Sequence, residues 1–473
     1  MPFTFDNSYA RLPQRFYAKQ PPTPVASPSV VAVNHLLAAK IGVDAGALNA
    51  EILSGNVIPE GADPIATAYA GHQFGGWNPQ LGDGRAVLLG EVVGPDGIRR
   101  DIQLKGSGPT MFSRNGDGRA TLGAVLREYL VSEAMAALGL PTTRALAAVT
   151  TGEQILRDGY EPGAVLTRVA QSHIRVGTFQ YYYARKDHEA LQLLAEHVIA
   201  RHYPMAAEAE NPVRGMLDAI IVRQAELVAR WMLVGFIHGV MNTDNSAISG
   251  ETIDYGPCAF MDIFHPETVF SSIDRHGRYA WNNQPEMAHW NMAQLAQALG
   301  PVLGDNVDTE AQEALELFAP AFSNAFYRGF AAKIGMAADT AELRELVTEL
   351  MGAMAQEDVD FTLFFRHLTL GARTKDFTSV KAMFANPEQI TDWISRWNAL
   401  SADAALMQKV NPVFIPRNHR IEEVITAANQ GDLKPFKRLH AVLARPYDEQ
   451  PENAEYENAP MPEEIVQATF CGT

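Results

Sequence analysis

RAVLLGEVVGPDGIRRDIQLKG, residues 85–106, contains two runs rich in strand-forming residues. The runs, 85–93 and 99–106, flank Pro95-Asp96-Gly97, and a turn signal between two such runs predicts an antiparallel hairpin. Lys105 is the last side chain of the second run and directly follows its apolar residues. Because an ammonium group at the end of a buried strand needs a partner, Lys105 is the first candidate for a functional side chain.

The candidate partner of Lys105 lies on the helix that follows the hairpin. Residues 121–138 contain no proline, and Gly139 is a suitable helix stop. On this helix Glu128 shares a mostly apolar stripe, which favours a paired carboxylate. A strand lysine paired with a helix glutamate holds nucleotide phosphates in protein kinases. A purely structural ion pair, or two solvated charges, is the alternative.

The remaining sequence changes from strand patterns to helical patterns. Strand candidates follow at 145–151, 154–157 and 164–170. Helical patterns then occur at 188–202, 213–240, 286–299, 309–332, 340–355, 388–400 and 419–429. A small β-rich lobe before a large helical lobe predicts an α+β fold with its site in the cleft between them.

The composition excludes several classes of protein. The 473 residues include 38 Lys plus Arg and 55 Asp plus Glu, a net charge of −17, which disfavours general nucleic-acid or anionic-membrane binding. Two cysteines, Cys258 and Cys471, cannot form a disulfide framework or a four-cysteine zinc site. Without a signal peptide or an apolar stretch of about 18 residues, the sequence predicts a soluble cytoplasmic protein, and a monomer is favoured.

The two ends of the chain differ from its middle. Residues 1–28 hold six prolines, and residues 446–473 hold seven acidic side chains without Lys or Arg. We expect four parts, namely an N-terminal extension with leading helices (1–65), a β-rich nucleotide-binding lobe (66–180), a helical lobe with the catalytic and metal-binding loops (181–445) and an acidic tail with Cys471 (446–473).

Two glycine-containing segments are candidates for phosphate contact. Gly82 and Gly84 precede Arg85 at the start of the first strand, where backbone N–H groups and a guanidinium could approach phosphates. Asp117 and Gly118 lie in the polar segment between the hairpin and the helix, where a loop covering a nucleotide would lie. Ordinary tight turns explain both segments equally well.

Arginines and carboxylates provide the other candidates. Arg168 and Arg175 could reach one pocket and bind phosphate, or they could be surface or carboxylate-paired residues. A long helix is expected to end at the His-Gly of 238–239, before Asp244 and Asn245, and Asp254 follows. Asp244 suits a role beside an attacking hydroxyl, and Asn245 and Asp254 suit a divalent cation. Capping and turn formation are the alternative.

Other catalytic motifs are missing from the sequence. The thirteen histidines form no HxxxH pair, which disfavours a zinc site of that kind. There is neither a GxSxG elbow nor a GxxxxGK[ST] phosphate loop.

The sequence resembles the selenoprotein O family, also called SelO or YdiU, over essentially its whole length. The motifs that carry the resemblance are AGHQFGGWNPQLGDGRAVLLGE (70–91), IQLKGSG (102–108), TMFSRNGDGRATLGAVLREYLVSEAM (110–135), TRVAQSHIRVGTFQ (167–180), GFIHGVMNTDNSAISGETIDYGPCAFMD (235–262), NNQPEMAHWNMAQLAQAL (282–299), NPVFIPRNHRIEEVI (411–425) and TFCGT (469–473). The resemblance implies an atypical two-lobed protein-kinase-like fold and a protein adenylyltransferase.

The resemblance also implies roles for individual residues. It makes Asp244 the proton acceptor, Asn245 and Asp254 the ligands of Mg²⁺ or Mn²⁺, and Glu128 the ion-pair partner of Lys105. It assigns to ATP binding Gly82, Gly84, Arg85, Lys105, Asp117, Gly118, Arg168 and Arg175. ATP is expected in reversed orientation, with its γ-phosphate inward, so that AMP passes to a Ser, Thr or Tyr hydroxyl of a protein. UMP transfer from UTP with manganese is a variant.

Two other functions and one redox question stay open at this point. A true kinase would transfer the γ-phosphate, and an idle scaffold would only bind nucleotide. Some relatives pair a cysteine after the Asp-Tyr-Gly motif with one near the C-terminus. Here the matching stretch, 269–272, has no cysteine, so Cys471 and Cys258 are only candidate redox residues.

Overall fold

An antiparallel sheet forms the N-terminal part of the molecule in the computed structural model, which describes residues 2–470. Its strand order is β1-β3-β6-β7-β10-β9-β2, and β8 pairs with β10. Two further pairs, β4 with β5 and β11 with β12, lie outside this sheet. The strands are β1 (Tyr17–Lys19), β2 (Ser29–Val33), β3 (Ile65–Thr67), β4 (Gly71–Gln73), β5 (Gly76–Asn78), β6 (Ala86–Val93), β7 (Arg99–Lys105), β8 (Ala120–Thr121), β9 (Arg144–Leu156), β10 (Tyr160–Ala170), β11 (Phe236–Ile237) and β12 (Ala259–Phe260).

The predicted hairpin is confirmed as the pair of β6 and β7. Ala86 lies opposite Lys105 and Val93 opposite Arg99. Gly97 adopts φ +73° in the turn, a conformation that glycine tolerates without steric cost. Both strands are buried along most of their length, so the end of β7 delivers Lys105 from the core to the cleft.

Two of the predicted strands are one strand in the structure. The candidates at 145–151 and 154–157 are joined as β9, and the pairing with β10 shifts register between Pro162 and Ala164. Gly152 takes φ +74° at this irregularity. The glycine therefore forms a bulge within the strand and does not end it.

Helices make up most of the chain after β10. They are α1 (His35–Lys40), α2 (Ala50–Ser54), α3 (Leu122–Ala137), α4 (Val176–Ala184), α5 (His188–His202), α6 (Pro212–Leu233), α7 (Gln284–Leu299), α8 (Val307–Leu315), α9 (Phe318–Lys333), α10 (Ala341–Gln356), α11 (Phe361–Thr374), α12 (Thr378–Lys381), α13 (Pro387–Ala399), α14 (Ala404–Val410), α15 (Asn418–Asn429) and α16 (Lys434–Leu443). A β-rich N-terminal part and a helical C-terminal part are thus confirmed.

Two helix predictions were wrong in their extent. The helix expected over 213–240 ends at Leu233, because Gly235 adopts φ +72° and its N–H bonds to the Met232 carbonyl. His238 therefore follows the short strand β11 and does not end a helix. The pattern at 309–332 forms two helices, α8 and α9, which meet at Glu316 and Leu317.

The helix α3 joins the two parts of the molecule. Its residues pack on β9 and β10 on one side and on α15 and α16 on the other. Tyr129 and Leu130 are almost fully buried in the large core that results. The N-terminal arm covers the sheet, since Phe3 and Phe16 are also buried. The four-part division of the chain stays a prediction.

The helices of residues 2–470 include none that is long and apolar enough to cross a membrane.

Candidate active site

A cleft of about 510 Å³ lies between the sheet and the segment 240–256. It brings together the predicted site residues Gly82, Gly84, Arg85, Lys105, Asp117, Gly118, Arg168, Arg175, Asp244, Asn245 and Asp254. These positions span more than 170 residues of sequence, so the fold alone assembles them. Glu128 lies behind Lys105.

Glu128 holds two cations at the inner end of the cleft. Its Oε2 lies 2.5 Å from Lys105 Nζ, and its Oε1 accepts a hydrogen bond of 2.7 Å from Arg168 Nε. Burial opposes ionisation of Glu128, but Arg168 and Lys105 outweigh it and lower its pKa. Burial lowers the pKa of the Lys105 ammonium, against the attraction of Glu128. The predicted lysine–glutamate pair is present.

Asp254 accepts hydrogen bonds from both Arg168 and Arg175. Its Oδ1 accepts from Arg168 at 2.8 Å and its Oδ2 from Arg175 at 2.7 Å, and Lys105 Nζ lies 3.5 Å from Oδ1. Burial opposes its ionisation, but Arg168 and Arg175 keep its pKa well below the usual value. The backbone of Asp254 is in the left-handed region, at φ +63°, a strained conformation typical of functional sites.

Asp244 differs from Asp254 because little compensates its burial. Gln73 Nε2 donates to its Oδ2 at 3.1 Å, whereas Oδ1 is buried and has no hydrogen-bond partner among residues 2–470. Burial raises the pKa of Asp244 to about 6. A carboxylate with one bare oxygen and a raised pKa suits a proton acceptor.

The backbone at Gly71 lies close against the Asp244 carboxylate. A Cβ added to Gly71 would lie 2.4 Å from Asp244 Oδ1, so a side chain at this position would displace the carboxylate. Arg175 donates to the Asp244 backbone carbonyl at 2.6 Å. Asn245 Nδ2 donates to the Val240 carbonyl at 2.9 Å, which fixes the side chain beside Asp244.

The glycine segments pack against each other at the mouth of the cleft. A Cβ on Gly82 would lie 2.3 Å from the Phe112 ring, and one on Gly118 would lie 2.1 Å from the Gly108 carbonyl carbon. Asp117 reaches only the rim, where its carboxylate accepts two bonds from Arg157, at 2.8 and 3.0 Å. The two hydrogen bonds from Arg157 are the main reason that the pKa of Asp117 is lowered. Its side chain anchors the loop 113–119.

The sequence of the chain matches the model of a known protein family. The family model described as "Protein adenylyltransferase SelO" matches residues 1–444.

The chain belongs to the SelO family.

Curated relatives agree along their whole length. A relative from Bradyrhizobium sp. strain BTAi1, called "Protein nucleotidyltransferase YdiU", is 58% identical over 487 residues, which cover 100% of this chain and 99% of the relative. One from Rhodopseudomonas palustris strain BisB18, with the same name, is 56% identical with the same coverage. The expected activity, nucleotide transfer to protein, is confirmed, and it implies ATP as substrate, a divalent metal and protein targets.

Sequence reasoning missed residues that complete the site. Gln73 bonds to Asp244, and Tyr69 lies under the Arg175 guanidinium with 4.7 Å to its ring centre. The hairpin of β4 and β5 that supplies Gln73 packs on residues 242–245, the predicted catalytic loop, since His72 N–H donates to Thr243 Oγ1 at 2.7 Å. Its strands have only three residues each, too few for a pattern to reveal.

The donor set fits a divalent cation bound together with a nucleotide. Residues 2–470 contain no group of three or more His, Cys, Asp or Glu side chains that could hold a metal. Mg²⁺ in nucleotide enzymes needs only one or two protein carboxylates or amides, because phosphates and water supply the other oxygens. Asn245 and Asp254, which line one cleft, meet that requirement.

The redox candidates have different outcomes. Cys258 is fully buried, two residues after the segment Asp254-Tyr255-Gly256. Cys471 lies outside the described residues, so their pairing stays a prediction. The tail approaches the 269–272 stretch through hydrogen bonds. Thr469 N–H donates to the Phe270 carbonyl at 2.7 Å, and Thr469 Oγ1 donates to the Pro257 carbonyl at 2.5 Å.

Proposed function

We propose that this protein transfers AMP from ATP to a Ser, Thr or Tyr hydroxyl of a protein, with the triphosphate directed into the cleft. One observation carries the proposal, a surplus of positive charge at the inner end. Three cations, Lys105, Arg168 and Arg175, form ion pairs there with only two carboxylates, those of Glu128 and Asp254. The side chains of Arg168 and Arg175 are 2% and 5% exposed, and at such depth an unneutralised cation requires an anion.

Reversed binding explains why the cations lie so deep. The β- and γ-phosphates would contact Arg168, Arg175 and Lys105, and the α-phosphorus would then face Asp244. Arginine suits this role because its fork of donors matches phosphate oxygens. A kinase with γ-phosphate transfer needs the opposite arrangement, in which the terminal phosphate lies beside the acceptor.

The chemical step uses the groups that line the cleft. The substrate hydroxyl oxygen forms a bond to the α-phosphorus, the bond from that phosphorus to the bridging oxygen breaks, and pyrophosphate leaves. The Asp244 carboxylate accepts the hydroxyl proton. Lys105, Arg168 and Arg175 stabilise the charge that accumulates on pyrophosphate.

Asn245 and Asp254 would hold the divalent cation, Mg²⁺ or Mn²⁺. When bound, such an ion neutralises phosphate charge and polarises phosphoryl oxygens. Each oxygen of Asp254 accepts one strong bond from an arginine, and a carboxylate oxygen has a second lone pair free for a cation.

We also propose a two-lobed architecture of the protein-kinase type. The Lys105–Glu128 pair between a strand and a helix supports it, as does Asp254 in an Asp-Tyr-Gly segment. The adjacent Asp244 and Asn245 depart from kinases, where four residues separate the corresponding pair. UTP with Mn²⁺ is proposed as a second donor, because the cleft residues named above contact phosphates and none is assigned to the base.

The test is to supply ATP radiolabelled at the α- or at the γ-phosphorus to enzyme and a protein acceptor. We expect the α-label alone on the protein, and its loss in Asp244→Asn. Label from the γ-position alone would establish a kinase. Undiminished labelling by Asp244→Asn would remove Asp244 from the mechanism, and no label from either donor would favour the scaffold.

A further inference from the structure

A second cavity, of about 380 Å³, adjoins the nucleotide cleft. We call it the side groove. Residues on its wall include Phe74, Ile273, Arg275, His276, Arg278 and Met287. Phe74 and Ile273 also line the nucleotide cleft, so the two spaces meet at these side chains.

The wall of the side groove is tied to the catalytic loop. Asn242 Oδ1 accepts from the Phe74 backbone N–H at 3.0 Å and from the Tyr279 hydroxyl at 2.8 Å. Asn242 lies two residues before Asp244, and Phe74 directly follows Gln73, which bonds to Asp244. A chain segment lying in the side groove would therefore lead towards the proton acceptor.

Arg278 gives the side groove a distinct chemistry. Its guanidinium lies over Trp290, 4.9 Å from the ring centre, and 5.7 Å from that of Tyr279. Its Nε is buried without a hydrogen-bond partner, and within residues 2–470 Arg278 forms no ion pair. The nearest acid in sequence, Asp274, is occupied by the backbone N–H groups of Arg278 and Tyr279, at 2.9 and 2.8 Å.

Two arginines and two acids line the side groove of this acidic chain, and the backbone N–H groups of Arg278 and Tyr279 already occupy one of the acids, Asp274. Arg275 and Arg278 face a single exposed carboxylate without an internal partner, that of Glu286. The net charge of the chain is −17. A guanidinium that is stacked and unpaired is ready to bind a carboxylate in a bidentate manner.

Exposed apolar groups lie beside this arginine. Ile273 is 58% exposed and Trp77 is 43% exposed. Trp77 connects to the side groove through His72, whose ring lies 4.8 Å from Trp77 and 5.2 Å from Trp290. Trp and Arg dominate the binding energy of protein interfaces, and their grouping here is typical of a contact surface.

We propose that the side groove binds the segment of the protein substrate that flanks the modified hydroxyl, and that Arg278 pairs with a carboxylate of that segment. The proposal rests on the proposed function, since it names the substrate class of the same site. The enzyme then selects hydroxyls that lie near Asp or Glu. Ile273 and Phe74 pack against the apolar part of the segment.

The test uses two fluorescent peptides that both contain Ser, Thr and Tyr at their centre. The residues that flank this centre are Glu in one peptide and Lys in the other. We expect the Glu peptide to bind roughly tenfold more tightly by anisotropy, in the presence of a non-hydrolysable ATP analogue, because complementary charges discriminate between partners. Methionine keeps a long side chain that can lie on the Trp290 ring but has no charge. Arg278→Met should therefore abolish the preference for the Glu peptide. Arg278→Glu should reverse it.

A control variant and a second measurement separate the possible failures. Arg230→Met changes an exposed arginine of α6 and should keep the preference. Equal binding of the two peptides by the unchanged enzyme overturns the side-groove proposal, as does an equal effect of Arg278→Met on both peptides and on the affinity for the ATP analogue. If the Glu peptide is preferred but receives only γ-label, the proposed function fails and the side groove stands.

Discussion

Two clusters of buried charged side chains differ in position and in how their charges balance. The cleft cluster consists of Lys105, Glu128, Arg168, Arg175 and Asp254. The closed cluster consists of Glu91, Arg99, Asp101, His173 and Arg201. Both combine arginines with carboxylates from distant parts of the chain, but none of the closed cluster's members lines the cleft.

The closed cluster satisfies its charges internally. Arg201 donates to Asp101 at 2.6 Å and lies 3.3 Å from Glu91, and Arg99 lies 3.2 Å from Glu91. Burial lowers the pKa of His173, against the pull of Asp101, which favours the neutral ring. Arg99 and Arg201 thus meet the two carboxylates of the cluster, and Arg99 also pairs with Asp6 at its edge, so no cation is in excess. The cluster joins the sheet strands β6 and β7 to α5.

The cleft cluster keeps one positive charge more than its carboxylates neutralise. Similar residues at similar depth therefore have different tasks, because buried ions are tolerated only when paired. In the closed cluster the partners are all in the protein. In the cleft cluster we propose that a ligand completes the pairing, so that the charge balance would distinguish a binding site from a structural one.

Asp254→Asn should have the largest effect in the comparison. The carboxylate that bonds to Arg168 and Arg175, and that we propose as a ligand of the divalent cation, loses its charge. Nucleotide transfer should therefore fall about 10³-fold or more, as expected when metal-assisted charge stabilisation is lost. Initial rates with labelled ATP measure it.

A matched control is Asp262→Asn. This carboxylate also contacts a buried arginine, Arg417, and its side chain is 19% exposed against 22% for Asp254. Arg417 keeps Asp360 at 2.9 Å, and activity should stay within a few-fold of normal. Equal losses in both variants would mean that disturbing any buried arginine–carboxylate pair lowers activity, and that the cleft cluster has no special role.

Arg201→Ala should instead lower stability. It leaves Asp101 and Glu91 with too little positive charge in the interior, a change that costs about 3–5 kcal/mol. Urea denaturation measures this, and the folded fraction should keep its turnover. Arg396→Ala removes a surface pair with Glu349, in which both side chains are about half exposed, and should cost less than about 1 kcal/mol. If Arg201→Ala also lowers the free energy of unfolding by less than about 1 kcal/mol, the closed cluster does not stabilise the fold.

Lys105→Met should reduce kcat/KM for ATP about 10²-fold, the effect of losing one charged contact to the transition state. The free energy of unfolding should change by only about 1 kcal/mol, because Glu128 keeps Arg168 at 2.7 Å. Titration with ATP and urea denaturation give both quantities. An unfolding cost comparable to that of Arg201→Ala would assign the Lys105–Glu128 pair to structure.

His202→Gln tests the pH dependence beside the closed cluster. Burial, with the charge of Arg201, keeps the pKa of His202 well below its usual value. Below about pH 6.5 the unfolded chain binds a proton that the folded protein does not, so stability is lost as pH falls, at up to about 1.4 kcal/mol per pH unit. A glutamine at position 202 can retain the hydrogen bond to Ser172, and it should remove the contribution of His202 to the pH dependence of the free energy of unfolding.

Urea denaturation between pH 7 and 5 gives the slope, with His188→Gln, an exposed position of α5, as the control. An unchanged slope for His202→Gln would mean that this ring is protonated in the folded protein. The cleft cluster contains no histidine and should not contribute to the difference.

Local patterns in the sequence predicted the parts of the fold that local forces determine. The hairpin of β6 and β7 and the helix α3 follow from turn residues, apolar spacing and the glycine after α3. The Lys105–Glu128 pair could be inferred because both residues lie on such elements.

The convergence of Arg168, Arg175 and Asp254 could not be derived from spacing alone. It depends on the left-handed backbone at Asp254 and on strand register, which bring residues 168 and 254 within hydrogen-bond distance. The early end of α6 likewise depends on the conformation of Gly235. The resemblance to the family predicted which residues form the site. Physical reasoning from the residues alone left open whether they have structural roles instead.

Gly71 has a practical consequence. Main chain alone covers Asp244 on that side, and a single added methyl group would strike the carboxylate at 2.4 Å. Gly71→Ala would therefore silence the enzyme by displacing one oxygen, while every charged side chain of the nucleotide pocket is retained. Such a variant would be a suitable bait for isolating acceptor proteins, since it holds ATP and its target without completing the transfer.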